Sequence, residues 1–135
     1  MTARHRENVV GILEIATGVG ILAFWMLFFT VGLGPTKPPA CYFAFEHAFP
    51  LPDTVLAVAL ISSGFALKRG TEWGRSLSFA CAGGLIFLGL LDFSFSLLNG
   101  VLSGPALDVI VDSAINLWCI TAGATIITAL NAGRW

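Results

Sequence analysis

The sequence predicts an all-α fold, a polytopic membrane protein built as a four-transmembrane-helix antiparallel bundle, and three observations carry that prediction. Hydrophobic side chains make up 56% of the 135 residues and charged ones only 11%, whereas a soluble domain carries about a quarter charged residues. The mean hydropathy is +0.86, too apolar for a chain that must stay dissolved on its own. A hydrocarbon core about 30 Å thick takes roughly 20 apolar residues per helix, and apolar stretches of that order recur four times between short polar or Gly/Pro-rich breaks. Residues 1–135 then form a single transmembrane domain, with spans at about 9–33, 42–68, 76–98 and 106–130.

The first apolar stretch, from about Val9 to Leu33, is longer than the 7–15-residue core of a secretory signal, so it is expected to be retained as the first span. Gly32-Leu33-Gly34-Pro35 ends it, and Thr36-Lys37-Pro38-Pro39 cannot continue a helix because proline lacks the donor and clashes with the preceding turn. The aromatic segment from Cys41 to Phe49 suits the membrane interface or the outer end of a second helix kinked at Pro50 and Pro52. Asp53 is expected to cap a helix that begins at Thr54. The apolar stretch from Thr54 to Leu67 is short for a span, so the second one is expected to begin near Tyr42. Lys68 to Arg75 forms a polar turn, and Asn99-Gly100 with Ser103-Gly104-Pro105 forms the next. Both are short, which makes spans two to four antiparallel neighbours. No internal repeat is visible.

Arg4, Arg6, Lys68, Arg69, Arg75 and Arg134 fall on one side of this topology and Lys37 on the other. Because Lys and Arg near span ends resist translocation, both termini are expected in the cytoplasm. Trp73 and Trp135 then serve as interfacial anchors on that side. Close helix approach is expected at Gly11 and Gly18 on the first span and along Ser76, Ala80 and Gly84 on the third. The seven Lys and Arg residues and the net charge of −1 provide no basic stripe, so nucleic acid is not an expected partner. Cys41, Cys81 and Cys119 lie in different segments without CxxC spacing and read as small apolar fillers, with no metal site and no redox pair. No phosphate loop, nucleophile elbow or HExxH motif is present, and no cofactor is expected.

Asp92 and Asp112 carry the chemistry of interest. An ionisable side chain at membrane depth is costly and normally faces the bundle interior with a partner. The short turn between spans three and four places the two aspartates at similar depth in the outer half. Asp108, Asp112 and Asn116 recur every four residues as one polar stripe, and Asp92, Ser96 and Asn99 form another. No Lys or Arg lies at that depth, so facing carboxylates there require a proton, a metal or organic cation, a polar substrate or a partner subunit. Glu46 and His47 lie toward the same outer side and complete an acidic vestibule, the histidine suiting proton relay. Glu14 is placed near the cytoplasmic end of the first span, where it can snorkel or pair with an Arg. Phe24, Trp25, Phe28, Phe29, Phe93, Phe95 and Trp118 are expected to pack against lipid and neighbouring helices, or to line a cavity for a ligand with a basic nitrogen.

Phe45-Glu46-His47-Ala48-Phe49-Pro50-Leu51-Pro52, an apolar span and Lys68-Arg69-Gly70-Thr71-Glu72-Trp73-Gly74-Arg75 resemble the second span and cytoplasmic turn of EXPERA-domain proteins, the sterol-isomerase and sigma-2-receptor type. That resemblance implies that Glu46 is a ligand-pocket acid for sterol-like or cationic amphiphilic molecules. Three functions follow from these readings. The first is binding or transport of a cationic or amphiphilic small molecule, coupled to a proton, at Asp92, Asp112, Asn116, Glu46, His47 and Asp108. The second is an accessory subunit whose span-four stripe pairs with a second copy or a partner membrane subunit. The third is a membrane-embedded isomerase using Glu46, His47 and Asp92 as proton donors and acceptors. Whether the span-four stripe turns inward or outward separates the second from the first.

Overall fold

The structure, a computed structural model, describes residues 2–132. Arg134 and Trp135, counted above among the cytoplasmic charges and anchors, lie outside the described residues. Helix α1 spans Ala3–Val31, α2 Tyr42–Glu46, α3 Pro50–Arg69, α4 Glu72–Leu98 and α5 Ala106–Asn131, with a 3-10 turn at Val101–Ser103. Among the described residues there is no strand. The stretches Ala3–Val31, Tyr42–Arg69, Glu72–Leu98 and Ala106–Asn131 are long and apolar enough to cross a bilayer, and the chain is a multi-pass membrane protein with an all-helical bundle.

Two helix starts differ from the sequence expectation, each for a local reason. Helix α1 begins six residues before Val9 because the Thr2 hydroxyl accepts from His5 N–H at 3.3 Å, capping a first turn of polar residues. Helix α3 begins at Pro50 rather than Thr54, since proline in the first turn gives up an N–H that has no helical partner anyway. Asp53 is therefore inside the helix and not its cap. Gly70 ends α3 in the left-handed region, φ 76°, where glycine carries no Cβ penalty.

The four long helices form a ring in which α1 packs on α3, α3 on α4, α4 on α5 and α5 back on α1. The two hairpin pairs, α1 with α3 and α4 with α5, are the extensive contacts. One end of the ring, here the termini face, carries Thr2, the α3–α4 turn and the end of α5; the opposite loop face carries the α1–α3 connection and the α4–α5 turn. Val10, Leu60, Leu67, Cys81, Ala82, Leu85 and Ile126 form a core through the ring, and Trp25, Phe28 and Tyr42 form a second cluster toward the loop face.

The hairpin seams are built alike. A Cβ on Gly64 would lie 2.5 Å from the Gly11 carbonyl oxygen and 2.8 Å from Ile15 Cγ1, and one on Gly123 would lie 2.6 Å from the Ala82 oxygen and 2.7 Å from Ile86 Cγ1. Gly18 meets the Ala57 oxygen and Ile61 in the same way, and Gly89 meets the Asn116 oxygen and Ile120. Every long helix thus has a short residue, an Ile four positions on and a Gly three further: Gly11, Ile15, Gly18; Ala57, Ile61, Gly64; Ala82, Ile86, Gly89; Asn116, Ile120, Gly123. The carbonyl of the short residue seats on the partner's Gly, and the Ile covers it, which brings the backbones together.

The repeat extends beyond the seam. Shifting α1 by 71 positions (18 to 89) and α3 by 59 (64 to 123) superposes the two patterns and also pairs Arg4 with Arg75 and Asp53 with Asp112. Arg4 donates to the carbonyls of Leu67 and Lys68 at the end of α3, while Arg75 donates to that of Leu130 at the end of α5. Each Arg satisfies terminal carbonyls of its hairpin partner. The sequence expectation of no internal repeat is thereby corrected. So is the expected seam at Ser76 and Ala80, which are exposed; α4 buries Gly74, Ser78, Cys81, Ala82, Leu85 and Gly89 instead.

Candidate functional site: a carboxyl cluster at the loop face

Asp92 is six residues from the end of α4 and Asp112 six from the start of α5, so each lies roughly 9 Å along its helix from the loop face. Across the α4–α5 seam they interact electrostatically, and Asn116 bonds both, its Nδ2–H donating to Asp112 Oδ2 at 3.3 Å. Asn116 is buried, as is Ser96, which lies within reach of Asp112. The span-four stripe is therefore turned inward at Asp112 and Asn116.

Glu46, the last residue of α2, is buried and comes close enough to interact with Asp92, Asp112 and Asp53. The short α2 turn exists because prolines close it off on both sides, and it lays Glu46 over the mouth of the ring with Tyr42 beside it. Asp53 is buried and accepts from Trp25 Nε1–H at 2.9 Å. Asp53 thus joins the cluster that sequence reasoning assigned to Asp92, Asp112 and Glu46, and its expected capping role is replaced by this bond to α1. The signal that could have found it is its fourfold spacing from Ala57, shared by Asp112 and Asn116.

Asp108 and His47 are not drawn into the cluster's bonding. Asp108 Oδ2 accepts from both the N–H and the hydroxyl of Thr36 at 2.9 Å, tying the α1–α2 connection to α5. His47 is exposed, with its ring 6.0 Å from and stacked on that of Phe29. Of the aromatic residues, Trp25 and Phe28 are core, Phe95 stacks on Phe45 at 3.8 Å, and Phe29, Phe93 and Trp118 are mostly outward. Trp118 reaches across the α5–α1 seam to donate to the Thr17 hydroxyl at 3.3 Å.

Glu14 departs furthest from expectation. It does not snorkel: it is fully buried, and because α1 starts at Ala3 it sits three residues from the helix midpoint. Glu7 is the α1 acid that pairs at the termini face, with Arg75 at 3.6 Å.

Clefts open at both faces. One of about 160 Å³ at the loop face lies between Lys37, Pro38, Gly100 and Asp108, and one of about 400 Å³ at the termini face lies between Arg6, Glu7, Glu72 and Arg75. Neither is lined by Glu46, Asp53, Asp92 or Asp112. Among the described residues no three His, Cys, Asp or Glu side chains are grouped to hold a metal ion.

No curated protein and no solved structure matches the chain. Residues 4–94, from the first turn of α1 to near the end of α4, match the family described as Domain of unknown function (DUF8058). That match covers about two thirds of the 135 residues, and the chain belongs to this family.

Proposed function

We propose that the chain is a small membrane carrier or binding protein that takes a small organic cation, in exchange with protons, at the loop-face carboxyl cluster. The observation that carries this reading is the convergence of Glu46, Asp53, Asp92 and Asp112 at membrane depth with no Lys or Arg among them. Uncompensated carboxylates in such a place cost several kcal/mol each, and a bound cation or proton removes that cost. Trp25 bonds Asp53, Asn116 bonds Asp112 and Asp92, and Ser96 bonds Asp112; these neutral donors leave the negative charge of the cluster uncompensated. The inward turn of Asp112 and Asn116 supports a site within this chain over pairing of the stripe with a partner subunit.

A small ligand suits this reading. Drug-sized amphiphiles occupy about 300–1,000 Å³, and neither cleft offers that volume beside the carboxyls. An isomerase reading needs an enclosed apolar cavity that joins Glu46, His47 and Asp92, and His47 points away on Phe29. Orientation belongs to the same proposal: Arg4, Arg6, Lys68, Arg69 and Arg75 lie at the termini face against Lys37 at the loop face, so the termini face is cytoplasmic and the cluster opens to the other side.

The test is thermal unfolding of detergent-purified wild type, Asp92→Asn and Asp112→Asn against a series of alkali, alkaline-earth and alkylammonium chlorides. A ligand at a hundred times its Kd stabilises by about 2.7 kcal/mol. The reading requires at least one alkylammonium ion to raise the wild-type midpoint and both variants to lose that rise. If no cation shifts the wild type, or the variants respond as it does, the cluster is structural and a subunit role takes precedence.

A further inference from the structure

Glu14 takes no part in the loop-face cluster, and nothing so far accounts for it. It is 0% exposed, and neither of its carboxyl oxygens has a hydrogen-bond partner among the described residues. It projects from α1 between Gly11 and Gly18, the two close-approach points of the α1–α3 seam. Ser63 of α3 and Ser78 of α4 lie within reach of the carboxyl, with the Cys81 thiol of α4 nearby. From α5, Cys119 is directed toward Asp53 and Asp92 instead, and the nearest α1 acid, Glu7, is engaged with Arg75 and Arg4. No cation faces Glu14 from any of these helices.

Ser63 Oγ–H donates to the Leu60 carbonyl at 3.1 Å, and Ser78 Oγ–H donates to that of Gly74 at 2.9 Å. A hydroxyl has one proton, so each serine can turn to the carboxyl only by leaving its backbone carbonyl. A fully buried carboxylate with no cation facing it costs several kcal/mol, and a bound proton removes that cost. The repeat adds an independent argument. The position equivalent to Glu14 in α4, 71 residues on, is Leu85, which is also 0% exposed. The same seam is packed there by an apolar side chain, so packing does not call for a carboxyl at this place.

We propose that Glu14, beside Ser63 and Ser78 and near the middle of α1, is a second site whose occupant is a proton. It is separate from the loop-face cluster: Trp25, which marks the depth of Asp53 on α1, is eleven residues further along, or roughly 16 Å. The chain then holds two acid sites in series between its faces, and protonation of Glu14 is independent of what the cluster binds.

Infrared difference spectroscopy of the full-length protein in lipid tests this, using wild type minus Glu14→Gln at neutral pH. The expected result is a protonated-carboxyl carbonyl band, shifted by deuteration, that Glu14→Gln lacks and that Asp92→Asn/Asp112→Asn retains. An ionised carboxylate band in its place overturns the proposal. Replacement of the acid band by the carboxylate band when choline chloride is exchanged for sodium chloride also overturns it, because the occupant would then be a metal cation. Glu14→Leu provides a second readout: it is expected to melt at or above the wild-type temperature, as Leu85 does the same packing, and a marked fall would assign Glu14 a structural role instead.

Discussion

Gly64→Ala and Gly123→Ala test the seam that organises both hairpins. A methyl group at Gly64 would come to 2.5 Å from the Gly11 oxygen and one at Gly123 to 2.6 Å from the Ala82 oxygen, against an ordinary contact of 3.4 Å or more. The obstructing atoms are backbone, so the helices have to separate locally by roughly 0.8–0.9 Å. A gap of 0.5–1 Å forfeits a quarter to a half of the dispersion well for the atoms lining it, and overpacking of this kind costs about 1–3 kcal/mol. Gly83→Ala is the control, because nothing lies within 4 Å of its added Cβ. All three substitutions share the helix-propensity gain of about 1 kcal/mol, so the difference from Gly83→Ala isolates the packing cost. Unfolding in mixed micelles with increasing denaturing detergent measures it. Gly64→Ala and Gly123→Ala should each fall about 1–3 kcal/mol below Gly83→Ala, and their effects should add to within about 0.5 kcal/mol because they lie in different hairpins. Three variants of equal stability would refute the close-approach seam and the repeat built on it.

Trp25→Phe removes the donor to buried Asp53 and should destabilise by about 1–3 kcal/mol, read in the same micelle titration; Phe24→Leu, on the less buried side of α1, should cost less. Arg75→Met removes the bond to the Leu130 carbonyl and the partly exposed pair with Glu7. Its cost should not exceed about 1 kcal/mol and should shrink with salt, and hydrogen exchange should show faster opening in the last turn of α5. Thr36→Val removes one of two bonds to Asp108; limited proteolysis between Gly32 and Ala40 should accelerate while the global midpoint stays within about 0.5 kcal/mol.

The number of spans and the common depth of Asp92 and Asp112 were legible because both follow from lengths. A short turn between two antiparallel helices sets equal rise on each side, and two residues six positions from that turn have to share a depth. The position of Glu14 was not legible, since Arg4, Arg6, Glu7 and Asn8 read as a polar leader although they form the first turns of α1. With the helix start moved back to Ala3, Glu14 shifts from near the helix start to near its middle. Asp53 was misplaced because an Asp before an apolar run has the pattern of a cap, and only the fold reveals a Trp partner 28 residues earlier. The repeat was hidden because its two copies agree at few identities, mainly Arg, Asp, Ile and Gly, while the apolar positions between them exchange freely. Cavity-filling apolar residues can be swapped at low cost if volume is kept, so packing preserved the spacing and not the letters.

That hidden repeat also separates chemistry from packing. Where two seams share one geometry, a residue present in both halves answers to the geometry, and one present in a single half needs another reason. The Gly and Ile positions and the Arg4/Arg75 pair fall in the first class. The aspartates are shared as well, yet their surroundings are not: Asp53 Oδ2 accepts from the Trp25 indole, whereas the position equivalent to Trp25 is Ser96, beside Asp112. The position equivalent to Asp92 is Ile21, and that equivalent to Glu14 is Leu85. The first half therefore carries an aspartate bonded to an indole and a buried glutamate near the middle of α1, and the second carries an aspartate pair beside a serine. Exchanging environments between halves puts this to the test. Ser96→Trp should set an indole against Asp112 as Trp25 does against Asp53 and abolish any cation-dependent rise in the melting midpoint, while Leu85→Ile, a volume-conserving change, should leave it intact. A Ser96→Trp protein that folds and keeps its cation response would show that the neighbour of Asp112 is not what distinguishes the two halves.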